Sequence, residues 1–132
     1  MEIAICEVLG TPVAQPRPRF SRLRSGGVRA YVPEDHPVHA YRQLIAMSWK
    51  SQVGKCFDGA LAVHIEVILH RPKSSKNERP IVRPDCSNYL KGIEDSLNGI
   101  AWSDDSQIVS VHIEKSYGDV EMTRIVLERL ED

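Results

Sequence analysis

The residues that could do chemistry concentrate in Arg83-Pro-Asp-Cys-Ser-Asn-Tyr-Leu-Lys91 and, one helix length later, in Trp102-Ser-Asp-Asp-Ser-Gln-Ile108. Asp85, Lys91 and the pair Asp104-Asp105 thus flank the two ends of one short expected helix. Carboxylates gathered beside a lysine suit a hard divalent cation and a phosphate. Lys91, one turn into the helix, could neutralise the charge that develops in phosphoryl transfer. Each residue also has a structural alternative. Asp85 suits a helix N-terminus, Asp104-Asp105 suits an exposed turn, and Lys91 suits a solvated helix face. For the acids to meet, the loop after the helix must fold back along it, because a helix of about twelve residues is roughly 18 Å long.

The basic residues form two blocks. Residues 8–33 carry Arg17, Arg19, Arg22, Arg24 and Arg29 and no acid, and residues 71–83 carry Arg71, Lys73, Lys76, Arg79 and Arg83 against Glu78 alone. From Glu94 onward the balance reverses, with ten acids against Lys115, Arg124 and Arg129. The formal net charge of −1 therefore hides a polar distribution, and the field at one face matters more than the total. Arginine clusters without acidic partners match phosphate binding; the alternative is a set of solvated loop charges.

The elements that must position these groups can be read from periodicity. Residues 2–9 form a first strand ended by Gly10-Thr-Pro. Residues 19–23 and 28–32 flank Ser25-Gly26-Gly27 and make a basic hairpin. Pro37 opens a helix whose Val38, Tyr41, Ile45 and Trp49 face a core, up to Gly54. Leu61, Val63, Ile65, Val67 and Leu69 alternate with their neighbours as a strand. A polar loop follows over 71–83, then a helix over about 87–98 with Ser87 as N-cap and Gly99 as the C′ residue. Val109, Val111 and Ile113 mark another strand, and Gly118-Asp119 turns the chain into a last one over 120–130. The order predicts a single α+β domain spanning residues 1–132, with a mixed sheet and two helices. His36 and His39 flank Pro37, and His64, His70 and His112 lie on strands with apolar opposite faces, so metal ligation by histidine is not expected.

At 132 residues, 42% of them apolar and 27% charged, the chain can bury a core without disulfides or a structural metal. Nothing approaches the roughly 18 apolar residues of a membrane span, and Met1-Glu2 does not open a signal peptide. Cys6, Cys56 and Cys86 make no CxxC pair, which fits a reducing cytoplasm rather than a disulfide framework or zinc knuckle.

The central block, Pro84-Asp85-x-x-Asn88-x-x-Lys91, then Asp95-x-Leu97-Asn98-Gly99, then Trp102-x-Asp104-Asp105-x-Gln107-Ile108, resembles the RusA family of Holliday-junction resolvases, common in prophages. Gly10-x-Pro12…Pro16-Arg17-Pro18-Arg19-Phe20 and Arg71-Pro72-Lys73-Ser74 resemble it too, so the likeness covers nearly the whole chain. It implies a homodimeric endodeoxyribonuclease that binds four-way DNA junctions and makes paired symmetric nicks with Mg²⁺ or Mn²⁺. The family's metal-binding aspartates fall on Asp85 and Asp105, with Asp104 adjacent, and its essential lysine on Lys91. Arg17, Arg19, Arg22, Arg24, Arg71, Lys73, Lys76, Arg83 and Asn88 are then the DNA-binding residues. One position departs from the pattern: Ser87 stands where the family has a second acid, and a hydroxyl is a weaker ligand for Mg²⁺. A non-catalytic junction binder with a decayed metal site, and a nuclease for other branched DNA, are the rival readings.

Overall fold

The computed structural model describes residues 2–16 and 18–131. The alternating run of Leu61–Leu69 forms β4, with Leu61, Val63, Ile65 and Val67 buried on one face. It sits inside a four-stranded sheet of order β1-β6-β4-β5, built from β1 (Glu2–Leu9), β6 (Met122–Arg129), β4 and β5 (Ile108–Tyr117). β6 pairs antiparallel with both β1 and β4, while β4 and β5 are parallel. Parallel neighbours need a crossover, and here it is α2 (Cys86–Leu97). The architecture is α+β with a mixed sheet and two helices, as the sequence predicts.

Two details add to or differ from the sequence reading. β5 and β6 are not neighbours, because the connection between them steps over the end of β4. Gly118 makes this possible: its N–H donates to Leu69 O at 3.0 Å, and a Cβ there would lie 2.6 Å from Ile68 Cγ2. The N-cap of helix α2 also falls two residues earlier than expected, at Asp85 rather than Ser87. Its other end is as read: Asn98 is the C-cap and Gly99 follows at φ +81°, the left-handed conformation that favours glycine.

Helix α1 (Pro37–Gln52) begins where His36 Nδ1 accepts the Val38 N–H at 3.0 Å, and it buries Val38, Tyr41, Ile45 and Trp49. α1 and α2 pack against each other, and their apolar faces share one core with the sheet, in which Trp49, Trp102, Ile93, Leu97, Ile65 and Ile125 are fully buried. The face of the sheet turned away from this core carries Ile3, Ile5, His64, Glu66, His112, Glu114 and Arg124, with Ile3 58% exposed and Ile5 54%. β2 (Arg19–Arg22) and β3 (Val28–Tyr31) form a separate antiparallel hairpin in which every β2 residue is exposed.

Candidate metal and nucleic-acid site

Asp85 occupies the N-cap position of α2, where an aspartate ordinarily accepts a backbone N–H of the first turn. Its side chain makes no such bond, and the residue is exposed. The backbone does the capping, with Asp85 O accepting from Asn88 and Tyr89 N–H at 3.1 and 3.3 Å. The approach to the helix is fixed from below by Lys115 of β5, whose Nζ donates to Val82 O and Pro84 O at 2.7 and 2.9 Å. The backbone at Asp85 is thus held in place, and among the described residues its carboxylate has no hydrogen-bond partner.

Around it lies a groove of about 680 Å³, walled by the segment 12–16, the start of α1 at His36 and Pro37, and Arg83, Asp85 and Asn88. The 12–16 segment is pinned across α2 by Gln15 N–H donating to Asn88 O at 3.0 Å, beside the buried Gly92. Arg42 of α1 donates to Gln15 Oε1 and, at 3.3 Å, to Asp95 Oδ2. Asp95 in turn accepts from Lys91 Nζ at 3.1 Å. One carboxylate therefore ties the lysine, α1 and the groove wall together. Ser87 is exposed in the first turn of α2.

The far end of α2 is built differently. Asp104 caps the single 3₁₀ turn Asp105–Gln107 through a full capping box. Its Oδ2 accepts from the Ser106 hydroxyl and from Ser106 N–H at 3.2 Å, and Gln107 Oε1 accepts from Ser103 and Asp104 N–H. The Ser106 hydroxyl bond, followed by the Ser106 amide, holds the Asp104 carboxyl below the usual carboxylate range. Asp105 Oδ1 accepts from the buried Trp102 indole N–H at 2.7 Å.

The charge of Asp105 reaches Glu94, a residue the sequence reading did not single out. Burial, and then the negative charge of Asp105, push the Glu94 carboxyl up, with Lys91 opposing and Asp95 adding to the rise. The signal for Glu94 was present: it lies three residues after Lys91, on the same helix face. Glu94 follows Asp85 by nine residues, which is roughly 13 Å along a helix axis. Asp85, Asp104 and Asp105 do not converge into one set: among the described residues, the three-residue group whose potential ligand atoms all lie within 4.8 Å is His64, His112 and Glu114. The candidate site therefore has two halves, Asp85 at one end of α2 and Asp105 with Glu94 at the other. The donor chemistry fits a hard divalent cation, since all are carboxylate oxygens and the Glu94–Asp105 repulsion is what a bound cation would relieve.

Arg19, Arg22, Arg24 and Arg29 are exposed on the hairpin and, among the described residues, pair with no acid. Lys73 and Lys76 are exposed in the 71–76 turn, which Arg71 braces through Ser75 O at 3.3 Å, and Arg83 lines the groove. Arg17 lies outside the described residues. No helix among the described residues is long and apolar enough to cross a membrane.

Comparison with known proteins matches the family model "Endodeoxyribonuclease RusA" over residues 10–128. The chain is also 30% identical over 136 residues to YqaN of Bacillus subtilis (strain 168), described as an uncharacterized protein, covering 93% of this chain and 94% of that one.

Proposed function

From the premise that the chain belongs to the RusA endodeoxyribonuclease family, we propose that it is a metal-dependent, homodimeric endonuclease that resolves four-way DNA junctions by paired nicks, with residues 1–132 as one domain. The observation that carries this reading is Asp85, a carboxylate fixed at a helix N-terminus, free of any capping bond and set in a groove beside Arg83 and Asn88.

Mg²⁺ or Mn²⁺, when bound, supplies Lewis-acid activation of a water and of the scissile phosphate. Asp85, Asp105 and Glu94 are the residues that would hold it. Asp104 acts beside them by capping the turn that aims Asp105. Lys91, steadied by Asp95, places positive charge where negative charge develops on the phosphate. Arg19, Arg22 and Arg24 on the hairpin, Arg71, Lys73 and Lys76 in the basic loop, and Arg83 and Asn88 in the groove hold the duplex arms. Contacts of the basic residues to phosphates position DNA without reading its sequence.

The distance between the two halves of the site gives the dimer a role. In a two-fold pair with antiparallel α2 helices, the Asp85 end of one chain meets the Asp105 end of the other, which makes two equivalent sites. The test uses a synthetic four-way junction with and without Mg²⁺. Asp85→Asn and Asp105→Asn homodimers should each bind and not cut. An equimolar mixture should regain nicking of a single strand, because one of the two shared sites is then intact. A mixture as inactive as its components places both halves within one chain. Binding without any metal-dependent cleavage by the unmodified protein makes it a junction binder, with Ser87 as the mark of a decayed site.

A further inference from the structure

We propose that His64, His112 and Glu114, on the open face of the sheet, form a second metal site selective for zinc-class divalent ions and separate from the carboxylates of α2. The parallel register of β4 and β5 sets His64 directly beside His112, with ring centroids 4.4 Å apart. Glu114 lies two residues beyond His112 and so projects from the same face. Its carboxylate oxygens are 4.0 Å from His64 Nε2 and 3.6 Å from His112 Nε2, and the three ligand atoms all lie within 4.8 Å of one another. Donors of a tetrahedral zinc shell at 2.0–2.1 Å are about 3.3 Å apart. Small side-chain rotations therefore close the set, and all three side chains are about half exposed, so an ion can reach them.

Charge on this face also favours a cation. Glu66 and Glu7 share Arg124, at 3.3 and 3.6 Å. Glu114 has no lysine or arginine among the described residues; its partners are the two imidazoles. When those are neutral, the cluster is one carboxylate and two nitrogen donors with no positive charge. Imidazole donors select Zn²⁺, Co²⁺ or Ni²⁺ over Mg²⁺. Three protein ligands leave a further coordination position to water, the arrangement of open rather than closed zinc sites. The inference stands apart from the nuclease reading, since it uses none of that site's residues.

The experiment titrates untagged, chelator-stripped full-length protein with Zn²⁺ by calorimetry and with Co²⁺ by visible absorption, in excess Mg²⁺. One ion per chain should bind, with a Co²⁺ spectrum of low coordination number. His112→Ala and Glu114→Gln should each weaken binding on the order of 100-fold, while Asp85→Asn and Asp105→Asn leave it unchanged. All these positions are exposed or half-buried, and thermal melts confirm that each variant folds; if His112→Ala does not, Glu114→Gln carries the test. Failure to bind Zn²⁺ in excess Mg²⁺ overturns the proposal. So does binding that survives the folded β5 variants, or that is lost with Asp85→Asn or Asp105→Asn.

Discussion

At the start of α2, Asp85 holds a capping position without giving its carboxylate to the cap. Beyond the end of the same helix, Asp104 gives its carboxylate fully to a cap, and Asp105 gives one oxygen to the Trp102 indole. The residue type is shared, but the hydrogen-bond partners are not, and the partners decide the role. Backbone bonds already serve the first turn at Asp85, so its charge stays available to a ligand. At Asp104 the charge holds a turn in shape, and under the proposed function chemistry is left to Asp105 and Glu94.

The largest effect that sharpens this contrast is Asp85→Asn. Cleavage should fall on the order of 10²–10³-fold, while stability stays within about 0.5 kcal/mol, the usual range of a surface change. A clear drop in melting temperature would give Asp85 a structural job and erase the contrast.

Glu94→Gln should also impair Mg²⁺-dependent cleavage, yet stabilise the metal-free protein at neutral pH. The folded Glu94 carboxyl lies above its unfolded value. Its ionisation therefore costs nothing below the unfolded value and becomes unfavourable as pH rises through the folded one. Melts of both proteins at pH 7 and pH 4 should show an advantage for Gln that shrinks in acid. An advantage that does not change with pH would show that neither burial nor Asp105 raises the Glu94 carboxyl.

Asp104→Ala should lower the melting temperature, as for a lost N-cap. Here the folded carboxyl lies below its unfolded value, so its contribution is present above that value and fades as pH falls through the folded one. The loss should thus be full at pH 7 and shrink as pH falls below the ordinary aspartate range. Binding of a junction by this variant at permissive temperature should be unchanged.

The smallest effect belongs to Ser87→Asp. If position 87 faces the cation, half-maximal cleavage should need several-fold less Mg²⁺, with folding unaffected because an acid suits a helix N-terminus. Identical Mg²⁺ curves would mean that Asp85 acts without help from the first turn.

Most elements were legible in the sequence because period and punctuation are local. The alternation from Leu61 to Leu69, the helical spacing from Val38 to Trp49 and the turn at Ser25-Gly26-Gly27 each sit in the expected element. What stayed hidden was relational. Alternation tells which face His64 and His112 occupy but not that β4 and β5 are parallel neighbours in that register. Helix length warns that Asp85 stands apart from Asp104 and Asp105 unless the next loop folds back, yet only the structure shows that the three do not converge. An aspartate ahead of a helical turn also looks the same whether or not its carboxylate is engaged.

The position of β6 bears on how the chain is made. Met122–Arg129 fills the interior of the sheet between β1 and β4, although it is the last strand in chain order. During vectorial synthesis β1, α1, β4, α2 and β5 all leave the ribosome while the slot between β1 and β4 is still open. Each border of that slot is a row of unpaired backbone groups, a template for pairing with another chain. The nascent domain therefore cannot close until the ribosome has passed Arg129, and it is most exposed to misassembly in that interval. A product truncated at Gly118 loses the middle of its sheet rather than a rim.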